Sequence, residues 1–318
     1  MNVSKLVDRC AFITCAFLLI GLPTVSYAQV DFDEVFIFGD SLSDAGNIYQ
    51  LTGETSKAPY AVVPTRPYAI GGHHFSNGKT WAERLARNLH DNSGGTASLQ
   101  NPGKNGNYAF GGARARSGSD SSSPDSGTQI LMYLGDYRSA SADALYVIQF
   151  GGNDLRDALV AAAQPNLNSA FFIIETAVQD LVGNIQVLYA AGARNFLVAN
   201  APNLAHAPAV KLSGASGAAG LFTGFYNGAL EGGLQQLELG ISDINIYRLD
   251  IAGFIDDVVA NPGDFGLVDT DFPCLTFFTE SDAKCDNPEE RLFWDGLHPT
   301  AVGHNALSAI ATAVVNGA

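Results

Sequence analysis

Short apolar runs alternate with longer amphipathic segments along the chain. The apolar runs predict buried strands at residues 34–38, 144–150, 195–199 and 244–251. Apolar residues at helical spacing predict helices at residues 81–90, 171–191, 221–239 and 300–315. Strands that alternate with helices predict a mainly parallel sheet with helices on both faces. Sites in such sheets form where the strands end, so functional residues are expected to follow the strands.

Glycine and polar residues follow three of the apolar segments. Gly39-Asp40-Ser41 ends the first strand, Gly111-Gly112 follows the apolar piece at residues 107–110, and Gly151-Gly152-Asn153 ends the strand at residues 144–150. A further stretch at residues 117–127 is rich in Ser, Gly and Asp, and its polarity predicts an exposed loop.

The first 28 residues resemble a secretory signal peptide. Lys5 and Arg9 precede an apolar stretch at residues 11–22, and small residues around Ala28 form a cleavage site. We expect cleavage near Ala28, export to the periplasm or the medium, and one mature domain over residues 29–318. The alternative is a membrane anchor, but the apolar stretch is short for a span, so no stable anchor is expected.

Charge and cysteine content narrow the function classes. The net charge of −15 provides no basic surface, so no nucleic-acid partner is expected. Removal of the signal peptide leaves Cys274 and Cys285, a close pair that predicts a disulfide in an exported protein. No further ligands are spaced around them for a metal. The sequence leaves the oligomeric state open.

Ser41 is either a helix cap or a nucleophile. A serine nucleophile needs a base and an acid that orients the base, and His298 with Asp295 three residues before it provides both. His206 follows a strand and ranks as a weaker candidate base. The other histidines are assigned to helices or loop positions: His73, His74, His90 and His304.

Acyl transfer also needs donors to the oxyanion. The candidates are the Ser41 amide, the Gly112 amide with Gly111 as the near alternative, and the Asn153 side chain. Considered singly, Gly112 is better explained as part of a tight turn, and Asn153 as a turn or cap residue.

Four segments in a fixed order resemble a known family. FGDSLSDAGN, NYAFGGA, GGND and DGLHPT are similar to the four sequence blocks of the GDSL esterases and lipases, also called SGNH hydrolases. The resemblance implies a three-layer α/β/α sandwich with a mainly parallel central sheet. It also implies a triad of Ser41, His298 and Asp295, an oxyanion hole of Ser41, Gly112 and Asn153, and no metal or cofactor.

The resemblance implies a serine esterase that hydrolyses carboxylic esters, with short acyl chains expected, through an acyl-enzyme. The alternatives are a phospholipase or lysophospholipase acting on membrane lipids, and a non-catalytic binding protein on the same fold. The expected partner is a small-molecule or lipid ester. Asp44 and Asn47 are expected to hold the serine loop. Tyr49, Tyr60, Tyr68, Phe75 and Trp294 are aromatic residues near the motifs without an assigned role.

Overall fold

The computed structural model describes residues 31–53, 66–118, 123–164, 168–275 and 284–317, so the signal-peptide segment and Tyr60 lie outside the described residues. Four parallel strands form one sheet in the order β1-β2-β3-β4. Their bounds are β1 Val35–Gly39, β2 Leu145–Gln149, β3 Asn195–Ala199 and β4 Asn245–Leu249. The first residues of neighbouring strands pair in register, with Val35 opposite Leu145 and Leu145 opposite Asn195.

Helices cover both faces of the sheet. They are α1 Asn47–Thr52, α2 Trp81–Asn88, α3 Ser126–Tyr137, α4 Gly152–Ala162, α5 Asn168–Ala191, α6 Pro208–Leu212, α7 Ser216–Gly240, α8 Ile251–Ala260 and α9 Ala301–Val315. Successive strand residues point to opposite faces. Phe36 and Phe38 therefore pack with α3, α4, α5 and α7, whereas Val35 and Ile37 pack with α2, α8 and α9. The result is the expected three-layer α/β/α sandwich.

An irregular segment extends the sheet beyond β1. The Ile37 amide donates to the Gly106 carbonyl at 2.9 Å, and the Tyr108 amide donates back to the Ile37 carbonyl at 2.7 Å. The Phe110 amide then bonds to the Gly39 carbonyl at 3.1 Å. This pairing carries Gly111 and Gly112 to the edge of the sheet where Ser41 leaves β1.

Several element boundaries differ from the sequence-based prediction, among them the starts of α5 at Asn168 and of α7 at Ser216. The strand expected at residues 244–251 ends at Leu249, because the Asp250 side chain accepts from the Gly253 amide at 2.8 Å and caps α8. The predicted exposed loop at residues 117–127 is wrong in part. Ser123 and Ser126 are buried, because their hydroxyls donate to the carbonyls of Gly111 and Ala115.

Candidate active site

Ser41, His298 and Asp295 meet at the carboxyl edge of the sheet. Ser41 lies in the turn that follows β1, where the Asp40 carbonyl accepts from the amides of Ser43 and Asp44. His298 lies on the loop before α9, and its Nε2 is 2.8 Å from the Ser41 Oγ. Its Nδ1 is 2.8 and 2.9 Å from the two carboxylate oxygens of Asp295. The structure therefore brings the three predicted residues into one hydrogen-bonded chain.

The partners of the imidazole determine where its proton lies. An ionised carboxylate only accepts hydrogen bonds, so the His298 Nδ1 that faces Asp295 carries the hydrogen. Nε2 of the neutral ring is then an acceptor and faces the Ser41 hydroxyl, which donates. In this arrangement His298 can take the proton of Ser41 while Asp295 stabilises the imidazolium that results.

Asp295 is held ionised although it is only 5% exposed. Burial alone would raise the pKa of this carboxyl. The attraction of His298 and hydrogen bonds from His298 and the Leu297 amide outweigh burial, and the pKa lies below its usual value. One carboxylate oxygen also accepts from the Tyr68 hydroxyl at 2.7 Å. Burial and the Asp295 charge raise the pKa of Tyr68, so this hydroxyl remains a donor.

Two of the three predicted oxyanion donors, Ser41 and Asn153, line the pocket that His298 also borders, whereas Gly112 is not among its lining residues. Asn153 lies in the first turn of α4 and, with Ser41 and His298, lines the pocket above β1 and β2. The amide nitrogen of Asn153 donates one hydrogen bond to the Ala113 carbonyl at 2.9 Å. This bond fixes the side chain beside Gly111-Gly112, which we call the Gly-Gly segment. Because a primary amide has two hydrogens, a second donor remains for a ligand.

The two glycines of NYAFGGA are needed for different reasons. Gly112 has φ +80°, a conformation that L side chains rarely adopt. A Cβ at Gly111 would lie 2.2 Å from the Phe75 ring. That ring packs against His298 with 5.0 Å between ring centroids, so the absence of a side chain at Gly111 makes room for the packing partner of the histidine.

The serine loop is tied to the Gly-Gly segment by Asp44. Its carboxylate accepts from the amides of Gly46, Asn47 and Ile48 at the start of α1, and from the Gly111 amide at 2.7 Å. Asn47 donates to the carbonyls of Asn107 and Ala109 at 2.8 and 3.0 Å. Both residues therefore have the predicted positioning role in the loop.

Residues 35–310 match the sequence profile of the family described as GDSL-like Lipase/Acylhydrolase.

The chain belongs to this family.

Relatives along most of the chain agree with this assignment. A GDSL esterase/lipase of Arabidopsis thaliana is 27% identical, covering 92% of this chain and 90% of the relative. A phosphatidylcholine-sterol acyltransferase of Aeromonas hydrophila is 26% identical over 91% and 93%, and an acetylesterase of Thermothelomyces thermophilus is 27% identical over 82% and 81%. Among solved structures, an α/β hydrolase from the metagenome of Lake Arreo has a TM-score of 0.47 at 13% identity, covering 92% of this chain and 97% of its own. This GDSL protein is a carboxylic ester hydrolase.

The other histidines of the hydrolase lie outside the serine–histidine–aspartate chain. His206 pairs with Asp256 at 2.8 Å, and His73 stacks on Tyr49 with centroids 3.5 Å apart. His74 pairs with Glu83 at 3.2 Å. His304 lies inside α9, where its Nδ1 accepts from the Trp81 amide at 3.2 Å.

Two further segments, the FSNG segment at residues 75–78 and the segment that contains Cys274, support the histidine loop from two sides. In FSNG, the Ser76 hydroxyl donates to the Pro299 carbonyl at 2.9 Å, and the Asn77 side chain accepts from the Ala301 amide at 2.7 Å. Cys274 and Cys285 form the predicted disulfide, and the Cys274 amide donates to the Phe293 carbonyl at 2.9 Å. These bonds fix the chain immediately before Asp295 and after His298.

Sequence reasoning missed two groups of residues at this site. Tyr68 and Phe75 had no assigned role, although one bonds to Asp295 and the other packs on His298. An ion-pair group behind Gly112 was also missed, in which Asp157 pairs with Arg114 and Arg116. Arg116 also pairs with the buried Asp154 at 2.7 Å, next to Asn153. Burial raises the pKa of Asp154 to about 6 despite this pairing. The only sequence signal for this group is opposite charge on two distant segments.

Proposed function

We propose that this GDSL hydrolase is an exported serine esterase that cleaves short-chain acyl esters through Ser41, His298 and Asp295. The observation that carries the proposal is the unbroken series of contacts from the Ser41 Oγ to His298 and on to Asp295, each at 2.8 to 2.9 Å. A hydroxyl that donates to a neutral imidazole is the arrangement that serine nucleophiles need.

The proposed reaction has two halves. The Ser41 oxygen forms a bond to the ester carbonyl carbon while its proton passes to His298 Nε2, and Asp295 stabilises the imidazolium. The Asn153 side chain and the Ser41 and Gly112 amides donate to the oxyanion. The C–O bond of the ester then breaks, and His298 returns the proton to the leaving alcohol. In the second half, a water molecule gives a proton to His298 and its oxygen forms a bond to the acyl carbon. The bond between that carbon and Ser41 Oγ then breaks, His298 returns the proton to Ser41, and the carboxylic acid leaves.

Two observations support short acyl groups. Large aliphatic side chains border the pocket around Ser41 and limit the room for the acyl group, among them Leu42, Leu204 and Leu297. The Thermothelomyces relative, similar over 82% of this chain, is named an acetylesterase. Export after cleavage near Ala28 is supported by the charge and hydropathy pattern of the first 28 residues and is compatible with the disulfide.

The decisive experiment compares hydrolysis of nitrophenyl acetate by the wild type, Ser41→Ala and His298→Ala. We expect each variant to lose at least a thousandfold in kcat. His206→Ala is the matched control, because His206 also pairs with an aspartate at 2.8 Å but does so outside the site. Wild-type activity in folded Ser41→Ala, or a loss in His206→Ala equal to that in His298→Ala, would refute the assignment.

A phospholipase is the second candidate, favoured by the similarity to the Aeromonas phosphatidylcholine-sterol acyltransferase along 91% of this chain. Fatty-acid release from phosphatidylcholine vesicles, compared with nitrophenyl acetate hydrolysis by the same sample, distinguishes the two. We expect the ratio to favour the acetate, and a ratio that favours the vesicles would establish the second candidate.

The mass of the protein recovered from a secreting host tests cleavage near Ala28.

A further inference from the structure

The peptide group between Gly111 and Gly112 carries the amide that the mechanism assigns to the oxyanion. Glycine has more backbone freedom than any other residue, and here two follow one another. A donor that stabilises a transition state has to be aimed before the reaction begins, because turning it during the reaction would cost free energy. Contacts that fix this peptide group therefore bear on the rate.

Ser123 makes such a contact. Its hydroxyl donates to the Gly111 carbonyl at 2.5 Å, and the residue is 7% exposed. Its Oγ would also lie 3.2 Å from a Cβ added at Gly112, so it sits against both glycines. A peptide group is planar, and in the usual trans form its carbonyl oxygen and amide hydrogen point in opposite directions. The bond that holds the Gly111 carbonyl therefore also sets the direction of the Gly112 N–H.

The backbone next to Ser123 is tied to the strand that carries the nucleophile. The Pro124 carbonyl accepts from the Gln129 side chain at 3.0 Å. The same side chain bonds to the amide and to the carbonyl of Gly39, each at 2.9 Å. Gly39 ends β1 two residues before Ser41. Ser123 therefore acts on the Gly-Gly segment from a backbone that is fixed relative to the nucleophile.

The hydrogen bond from Ser123 also makes the Gly112 amide a stronger donor. Hydrogen bonds in series polarise one another, and the effect is larger in a buried site than in water. The series runs from the Ser123 hydroxyl to the Gly111 carbonyl, and through the peptide group to the Gly112 N–H. Negative charge that develops on a bound carbonyl oxygen would extend this series by one bond.

We propose that Ser123 is a positioning residue that aims the Gly112 amide at the oxyanion. The inference rests on the proposed function, because it takes Gly112 as a donor in a reaction at Ser41. Ser123 lies outside the lining of the pocket around Ser41, so it acts through the peptide group and not on the substrate. Its effect is therefore confined to the states in which the ester oxygen carries negative charge.

The test compares Ser123→Ala with Ser126→Ala. Ser126 is the matched control, because it is fully buried and its hydroxyl donates to the Ala115 carbonyl at 2.5 Å. The amide of that peptide group belongs to Arg116 and faces Asp154 at 3.4 Å, not a substrate. The two variants thus lose the same kind of bond from the same stretch of chain.

We expect Ser123→Ala to lower kcat for nitrophenyl acetate about tenfold to hundredfold, somewhat less than the loss of a whole oxyanion donor. KM should stay within about twofold, because the lost interaction is made only in the transition state. Ser126→Ala should keep the wild-type kcat. Ser123→Thr retains the hydroxyl and should recover most of the activity that Ser123→Ala loses.

A second readout separates positioning from structural support. A trifluoromethyl ketone adds the Ser41 oxygen to its carbonyl carbon and forms a tetrahedral adduct with an oxyanion, as the ester does in the reaction. Analogues of this kind follow the affinity for the transition state. We expect the Ki of the ketone to rise in Ser123→Ala by the factor by which kcat/KM falls, and to stay unchanged in Ser126→Ala.

The outcomes separate this inference from the proposed function. A wild-type kcat in folded Ser123→Ala overturns the inference, as does an equal loss in Ser126→Ala or an unchanged Ki for the ketone. Acetate hydrolysis that persists in Ser41→Ala refutes the function itself. Thermal unfolding identifies a variant that fails to fold. Ser123→Cys then replaces Ser123→Ala, because a thiol is only a weak donor. A smaller loss of the same kind is expected there, and full activity overturns the inference.

Discussion

The Tyr68 hydroxyl gives Asp295 a donor from a distant part of the sequence, in addition to the amides of Leu297 and His298. A carboxylate that has left bulk water needs its lone pairs satisfied, and each hydrogen bond to a charged group is worth about 1.5–3 kcal/mol. The Tyr68 bond at 2.7 Å comes from 227 residues away along the chain. It ends on Oδ2, one of the two carboxylate oxygens that His298 Nδ1 approaches, at 2.8 Å.

Tyr68→Phe tests this positioning role. We expect kcat/KM to fall about tenfold, since a charge-assisted hydrogen bond is lost. The acid limb of the pH–rate profile should move to higher pH, because a carboxylate with one donor fewer attracts the proton on His298 more strongly. The measurement is kcat/KM for nitrophenyl acetate between pH 4 and 9, which avoids saturation effects.

Tyr108→Phe is the matched control for this substitution. The Tyr108 hydroxyl also donates to an aspartate at 2.7 Å, but that residue is Asp136 on α3. We expect the profile of this variant to keep its wild-type position. A Tyr68→Phe protein with an unmoved acid limb would show that the hydroxyl does not act through the charge of Asp295.

At the scale of elements, the site depends on how the Gly-Gly segment fits against the FSNG segment. Gly111 leaves the space that Phe75 occupies, and Asp44 fixes the Gly111 amide to the start of α1. The serine loop after β1, the Gly-Gly segment and the FSNG segment before α2 therefore hold one another in place beneath His298.

Gly111→Ala tests this fit. Its Cβ would lie 2.2 Å from the Phe75 ring, so the ring has to move from its place against His298. We expect a loss of about 1–3 kcal/mol in the free energy of unfolding, typical of an overpacked core, together with a lower kcat/KM. Urea unfolding and ester hydrolysis measure the two effects.

The control for this substitution is Gly127→Ala in the first turn of α3. There the nearest atoms to an added Cβ lie at ordinary contact distances of 3.5 Å or more. Alanine in a helix is favoured over glycine by roughly 0.5–1 kcal/mol, so this variant should be slightly stabilised and fully active. Equal behaviour of the two alanine variants would contradict the role given to Gly111.

The motif residues could be predicted from the sequence, whereas their supporting contacts could not. Ser41, Asn153 and His298 follow local signals, namely a strand that ends in Gly-Asp-Ser or Gly-Gly-Asn and an Asp–His spacing of three. Tyr68 and Phe75 are aromatic residues of a kind more often found in cores, and only their distant partners give them a role. The buried serines of the 117–127 stretch show the same limit, because composition does not reveal a tertiary acceptor.

For the whole molecule, His304 makes stability depend on pH. Burial, with smaller contributions from His298, His74 and Arg84, lowers the pKa of His304 to about 3. The unfolded chain takes up a proton there near pH 6.5 and the folded chain does not. Stability from this group is therefore complete above pH 6.5 and is lost as pH falls below that value.

His304→Asn should remove this dependence while keeping an acceptor for the Trp81 amide. Between pH 7.5 and 5.5 the wild type should lose about 1.4 kcal/mol more unfolding free energy than the variant. Urea denaturation at the two pH values measures the loss in each protein. Subtracting one loss from the other cancels the contribution of the carboxyl groups that both proteins share. An equal loss in both would mean that the folded protein protonates His304.

The contact between Ser41 and His298 joins residues 257 positions apart. The entropy of closing so long a loop has to be overcome before any hydroxyl meets its base, and parallel sheets with distant partners fold slowly. A nascent or partly folded chain therefore holds the serine and the imidazole separately, and neither hydrolyses esters alone. If the proposed triad is correct, the hydrolase stays inert while it is being synthesised and becomes active only when α9 docks beside α2. Recovery of ester hydrolysis during refolding would then report when His298 reaches Ser41.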